Sequence, residues 1–64
     1  LKKAFSWFKK AADKGNASAQ FNVGLFYATG RGVKQDVDKA VPYLQAAAKQ
    51  GHASAPALLE RLGY

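Results

Sequence analysis

The sequence repeats itself with an offset of 36 residues. When residues 3–28 are aligned with residues 39–64, eight of the 26 pairs are identical, and the aromatic Trp7 falls on Tyr43. The identical residues of the first unit are Lys3, Ala4, Ala11, Ala12, Gly15, Ala17, Ser18 and Ala19. A period of this length with helical patterning is typical of repeat proteins, in which each unit buries its apolar face only by stacking on a neighbour.

Each unit is predicted to contain two helices. Residues 1–14 place apolar side chains on one side of a helix and lysines on the other, which indicates an outer helix. A second helix, about 17–29, is apolar over more than half of its circumference and must therefore pack on more than one side. Helices at about 36–50 and 53–62 repeat this order. The predicted fold class is thus all-α, with two antiparallel helix pairs and about four helices.

Residues with special backbone or capping preferences mark the predicted helix ends. Gly15 and Gly51 supply left-handed stops, while Asn16 and Asp36 are predicted to cap the helices that follow them. Pro42 lies inside the third helix and lacks a backbone donor, so we expect a kink or a loosened first turn there.

The glycine-rich segment "ATGRGVKQD", residues 28–36, is predicted to be a connector. Gly30 falls where the second helix must end, Gly32 permits the reverse bend, and Val33 is the apolar residue available to reach the core. A phosphate-binding loop requires a preceding strand and a terminal Gly-Lys-Ser/Thr, and this sequence has neither.

The residue inventory argues against catalysis and metal binding. The chain has 64 residues, no cysteines, four carboxylates and one histidine, His52. No pair of titratable groups is placed to share a cleft, and His52 has no nearby metal-ligating partner. We therefore expect no enzyme activity, no cofactor and no metal. His52 occupies the position of Asn16 in the repeat and is predicted to be a helix-capping residue.

The positive charge is concentrated near the beginning of the sequence. The formal net charge is +6, and residues 1–14 contain five lysines and a single aspartate. This pattern suits an acidic partner or an anionic membrane surface. We favour instead a structural role, in which Trp7 and Phe8 pack against the second helix and the lysines coat the outside. Nucleic-acid binding is not expected, because the aromatic residues are predicted to lie on the buried side.

The chain resembles the Sel-one-like repeats, relatives of the tetratricopeptide solenoids. The resemblance covers residues 3–40 closely and residues 41–55 more loosely. The residues that carry it are Lys3-Ala4, Trp7-Phe8, Lys10-Ala11-Ala12, Gly15, Ala17, Ala19-Gln20-Phe21-Asn22-Val23-Gly24, Tyr27, Gly30, Gly32-Val33, Asp36 and Lys39-Ala40. The resemblance implies a right-handed superhelix of antiparallel helix pairs, an α-solenoid segment. It implies protein or peptide binding as an adaptor or scaffold, without catalysis, and we associate it with a bacterial source.

The two units differ in ways that suggest a position within an array. Glu60 stands where the first unit has Gly24, and a charged side chain there would keep a further helix away. The family's aspartate ahead of the Lys-Ala pair is present as Asp36 in the second unit only. We expect residues 1–64 to form a single domain at the C-terminal end of a longer array, with the second unit starting near residue 39.

A narrow polar strip on the inner helices is the candidate partner-binding site. Its residues are Ser18, Asn22, Leu25 and Thr29 on the second helix, and Ser54, Leu58 and Arg61 on the fourth. Inner helices of a solenoid line a concave surface on which ligands dock. The strip is equally well interpreted as the solvated side of a buried helix. A purely structural role as a cap, or self-association into a homo-oligomer, also stays open, as does the cellular compartment.

Overall fold

The computed structural model describes residues 2–64 except for the side chain of Lys2, and within that range its regular secondary structure is helical, with no strand. The four helices are α1 (Lys2–Asp13), α2 (Ala17–Thr29), α3 (Val37–Lys49) and α4 (Ser54–Arg61). This confirms the predicted all-α solenoid segment with two helix pairs. The predicted places of Leu1 and of the Lys2 side chain on the two faces of α1 lie outside the described residues.

The structure confirms the predicted N-caps of α2 and α3 and the predicted left-handed glycine after α1. The Asn16 side chain accepts a hydrogen bond of 2.9 Å from the Ala19 backbone N–H, which caps α2. Asp36 caps α3 in the same way, accepting from the Lys39 backbone N–H at 3.1 Å. Gly15 lies between α1 and α2 with φ of 92°, a left-handed conformation that glycine adopts without strain.

One local prediction in the second unit needs correction, and it concerns the residue ahead of α4. Pro42, where a kink or a loosened first turn is expected, lies inside α3, which runs from Val37 to Lys49. The predicted capping role of His52 is wrong, because α4 has Ala53 at its N-cap and no side-chain capping bond. The imidazole ring instead stacks on Phe21 of α2, with ring centroids 4.5 Å apart and an interplanar angle of 14°.

The core lies on both sides of α2. One cluster consists of Ala12, Ala19 and Val23, where α1 meets α2, and a second consists of Ala28, Ala40 and Leu44, where α2 meets α3. α2 therefore packs against both α1 and α3, while α4 packs against α3. This arrangement explains why apolar residues cover so much of the circumference of α2. It confirms the prediction that α2 is an inner helix, packed on more than one side.

Gly24 allows α2 and α3 to approach closely. A Cβ atom placed on Gly24 would lie 2.7 Å from both Cγ and Cδ2 of Leu44, and 3.3 Å from the carbonyl oxygen of Ala40. Leu44 is fully buried, so its side chain cannot simply move aside into solvent. The glycine is required here for helix packing, whereas Glu60 at the matching position of α4 is exposed.

The predicted packing of Trp7 against α2 is wrong. The Trp7 side chain is 66% exposed and makes an edge-to-face contact with its neighbour Phe8. Phe8 does pack as predicted, lying against the α1–α2 cluster and against Phe26. Trp7 lies at the border of the apolar face of α1, on the side that α2 does not cover.

Candidate partner-binding surface

The α2 part of the polar strip is accessible to solvent. Ser18 and Thr29 are exposed, and Asn22 and Leu25 are half-buried. The opposite side of α2 carries the fully buried Val23, which packs against α1. These positions leave one narrow side of an otherwise packed helix available for contact.

Two of the strip's polar side chains hydrogen-bond to their own helix. The Asn22 amide Nδ2 donates to the Ser18 carbonyl at 2.9 Å, and the Thr29 hydroxyl donates to the Leu25 carbonyl at 2.8 Å. Such bonds to the carbonyl four residues earlier are common for short polar side chains in helices. They leave the Asn22 oxygen Oδ1 as an acceptor for an incoming N–H group.

The α4 part of the strip is less uniform. Ser54 and Arg61 are exposed, so their polar groups are free to meet a partner. Leu58 is half-buried and packs against the cluster of Ala28 and Leu44, so much of its surface belongs to the core. The sequence pattern placed Leu58 correctly on α4 but gave no sign of this packing.

A second exposed surface lies on α1, where the sequence identified the lysines as an alternative binding surface but did not predict the exposure of Trp7. Lys3, Ser6, Trp7 and Lys10 line an open depression of about 370 Å³ on α1, and all four residues are exposed. The aromatic ring thus lies among the lysines rather than on the buried side of the helix. The repeat alignment gave no sign of this exposure, because it pairs Trp7 with Tyr43 without showing that Tyr27 of α2 lies against Tyr43.

The described residues contain neither a candidate metal cluster nor a membrane-spanning helix. Within residues 2–64, no group of three or more histidine, cysteine, aspartate or glutamate side chains is arranged to hold a metal ion. In the same range, none of the helices combines the length and the apolar character needed to cross a bilayer.

Comparisons with known proteins are consistent with this architecture. A profile described as "Sel1 repeat" matches residues 1–16 and 17–52. The protein "DAP3-binding cell death enhancer 1" of Rattus norvegicus is 58% identical over 38 residues, and its Mus musculus counterpart is 55% identical over 38 residues. Each alignment covers 59% of this chain and 8% of the relative, so the chain spans a small part of these proteins. Both relatives are mammalian, and a bacterial source is not shown. No solved structure matches the chain significantly.

The profile match shows the family of this chain. The matched residues 1–16 and 17–52 make up well over half of the 64 residues, and they include the inner helix α2 and the outer helix α3. Sel1 repeats generally mediate protein–protein interactions. The chain belongs to the Sel1 repeat family.

Proposed function

We propose that this chain is a non-catalytic protein-interaction module that binds an extended peptide or a loop of a partner protein along the strip of α2 and α4. The observation that carries the proposal is the exposure of Ser18 and Thr29 on a helix whose other sides pack against α1 and α3. Membership of the Sel1 repeat family supports a protein partner, and the mammalian relatives are themselves named as DAP3-binding.

The chemistry of the strip suits the backbone of an extended segment. Such a segment carries N–H and C=O groups that need partners once they leave water. Asn22 Oδ1 accepts from a backbone N–H, the hydroxyls of Ser18 and Ser54 serve as donors or acceptors, and Arg61 pairs with an acidic side chain. Leu25 and the exposed part of Leu58 supply apolar contact beside these groups.

The test begins with a ligand selected on the intact chain. Peptides are selected from a random display library against the immobilised chain, and the dissociation constant of a synthetic selected peptide is then measured. Replacing both Asn22 and Arg61 with alanine should abolish measurable binding while helicity is retained. Loss of a hydrogen bond to a charged group costs about 1.5–3 kcal/mol, which is roughly a tenfold to hundredfold loss of affinity for Arg61→Ala alone.

Lys9→Ala is the matched control for Arg61→Ala. Both positions are exposed and basic, but Lys9 lies on α1 and outside the strip. The control should bind with nearly parental affinity. An unchanged affinity of the Asn22 and Arg61 double variant would remove these residues from the binding site. Self-association of the chain stays a separate prediction, which sedimentation over a range of concentrations tests.

A further inference from the structure

A groove lies on the outer surface of the chain, between the outer helices α1 and α3 and above α2. One part of this outer groove is a cavity of about 200 Å³, whose lining residues come from all three helices: Ala12, Gln20, Pro42, Tyr43 and Ala46. Most of this lining is apolar, and the exposed Pro42 lies at the surface. The cavity has room for roughly six water molecules, so a single apolar side chain of a partner can fill it.

Two glutamines close one end of the apolar cavity. Gln50 Nε2, just after α3, donates to the Gly15 carbonyl oxygen and to the Gln20 side-chain oxygen Oε1, both at 2.8 Å. These bonds join residues 35 and 30 positions apart in the sequence, so they tie the second unit to the first. They also hold the Gln20 wall of the cavity in position before a partner binds, which lowers the cost of binding.

Beyond Tyr43 the groove continues into a second cavity, of about 470 Å³, which is basic. The Tyr43 ring stacks on the Tyr27 ring, with centroids 6.1 Å apart. Tyr27 lines the second cavity together with Val33, Lys34, Gln35, Asp36 and Lys39. The Lys39 ammonium lies 5.8 Å from the Tyr27 ring centroid, and both lysines are exposed. Asp36 is the one acid in this lining, so the cavity carries an excess of positive charge.

Pro42 leaves a backbone acceptor available beside the apolar cavity. Proline has no N–H, so the Asp38 carbonyl oxygen lacks the donor that an α-helix normally supplies from four residues later. Helix carbonyls point along the axis towards the C-terminal end, which directs this oxygen towards the Pro42 ring. A backbone N–H of an extended segment lying over Pro42 can therefore donate to it.

We propose that the outer groove binds an acidic segment of a partner protein that is anchored by one apolar side chain. The anchor fills the cavity beside Ala46, and a carboxylate of the same segment pairs with Lys39 or Lys34. Ala46 and Lys39 are seven positions apart in α3, a rise of about 10 Å. An extended chain covers that distance in about three residues, so an aspartate or glutamate lies two to four positions from the anchor.

An acidic segment suits the groove better than a second copy of this chain. The formal net charge is +6, so two copies repel each other. Lys34 and Lys39 attract carboxylates, and they disfavour lysine or arginine at the same position of the bound segment.

The outer groove and the strip use opposite sides of α2. Gln20 and Tyr27 line the groove, whereas the helical repeat of 3.6 residues places Asn22 and Thr29 on the other side of α2. A segment in the groove therefore does not touch the strip, and the chain can hold two partner segments at once. The groove does not depend on the peptide binding proposed for the strip.

The test uses peptides selected on the 64-residue chain with the strip disabled. Seven-residue peptides from a random display library are selected against the immobilised chain that carries Asn22→Ala and Arg61→Ala. Enriched sequences are expected to combine an apolar residue with an aspartate or glutamate two to four positions away. The dissociation constant of a labelled synthetic peptide of this kind is then measured by fluorescence anisotropy. A selection that enriches no peptide refutes the proposal.

Two substitutions probe the two parts of the groove separately. Ala46→Arg places a long side chain in the apolar cavity and should abolish measurable binding. Lys39→Glu reverses the charge at the basic end and should weaken binding roughly tenfold or more. A peptide with lysine in place of its acidic residue should bind the Lys39→Glu variant better than the parent chain, a reversal that general damage to the fold cannot produce.

Gln45→Arg and Lys10→Glu are the matched controls. Both positions are exposed, and neither is among the residues that line the two cavities. Each control should bind the peptide with nearly parental affinity. If circular dichroism shows that Ala46→Arg unfolds the chain, Pro42→Glu takes its place, because it sets a carboxylate at the groove and removes a proline from the helix interior.

Three results would overturn the proposal. The first is an affinity that neither Ala46→Arg nor Lys39→Glu changes. The second is enrichment of acidic peptides without an apolar residue, which bind Ala46→Arg as well as the parent, because this is charge attraction alone. The third is self-association of the parent chain that Ala46→Arg abolishes, which assigns the groove to a second copy. Failure of the strip as a binding site leaves these results unaffected, because the selection is made without Asn22 and Arg61.

Discussion

Replacing Gly24 with alanine tests how closely α2 and α3 pack. The new Cβ atom would lie 2.7 Å from two carbon atoms of Leu44 and 3.3 Å from the Ala40 carbonyl oxygen. Separations under 3.0 Å force a neighbour to move. Leu44 has no exposed surface and the carbonyl belongs to the backbone, so either the helices separate or Leu44 adopts a strained rotamer.

The expected magnitude follows from two opposing effects. Overpacking a well-filled core costs about 1–3 kcal/mol, and the contact with two Leu44 atoms places this site in the upper half of that range. Alanine is about 1 kcal/mol more favourable than glycine in a helix interior. We therefore expect Gly24→Ala to lower the free energy of unfolding by about 1–2 kcal/mol, equivalent to a fall of roughly 4–16 °C in the melting temperature.

Denaturant and thermal unfolding followed by circular dichroism measure this change. Ser18→Ala on the exposed side of α2 is the control, because it changes helix propensity without adding an atom to the interface, and it should be neutral or slightly stabilising. Adding Leu44→Val, which shortens the clashing side chain, should reduce the penalty of Gly24→Ala. If Gly24→Ala alone is as stable as the parent or more so, the close approach of α2 and α3 is refuted.

Two other substitutions examine a helix cap and the exposed aromatic residue. Asn16→Ala removes the 2.9 Å capping bond from the Ala19 backbone N–H and should lower the free energy of unfolding by about 0.5–2 kcal/mol, measured with denaturant. Asn16→Ser should keep most of the stability, because serine is also a good N-cap residue. An Asn16→Ala variant as stable as the parent chain would contradict the cap. Trp7→Ala should change the free energy of unfolding of the 64-residue chain by less than about 1 kcal/mol, because Trp7 is 66% exposed. A loss of about 3–5 kcal/mol, which is typical of a buried aromatic residue, would show that Trp7 is buried.

Helix boundaries could be predicted because their determinants are local. The periodicity of apolar residues identifies each helix, and Asn16, Asp36 and Gly15 act within a few residues of their own positions. The inner position of α2 was also predictable, since a helix that is apolar over a wide arc needs neighbours on two sides.

The contacts of Trp7 and His52 could not be predicted from local patterns. Aligning Trp7 with Tyr43 predicts a shared position in the repeat, but burial at that position depends on the helix that precedes it, which for Tyr43 is α2 with Tyr27. His52 aligns with Asn16 in the repeat, but its imidazole ring stacks on the Phe21 ring instead of capping a helix. Both errors arose because the repeat alignment transfers sequence positions and not the neighbours around them.

The candidate strip was predicted only as a set of positions. Helical spacing places Ser18, Asn22 and Thr29 along one side of α2, and that much follows from the sequence. Whether a polar side chain turns outward or bonds to its own helix depends on rotamers, as the Asn22 bond to the Ser18 carbonyl shows. The packing of Leu58 against the cluster of Ala28, Ala40 and Leu44 depends likewise on the path of the chain after α3.

Nuclear Overhauser effects in the isotopically labelled 64-residue chain test the central claim most directly. The claim is that α2 is an inner helix packed between α1 and α3, which leaves surfaces for contact with other proteins. We predict effects from the Leu44 methyl groups to the Gly24 α-protons, and from the Phe8 ring to Phe26. Their absence in a folded, helical chain would contradict the stacked arrangement and the interaction surfaces derived from it.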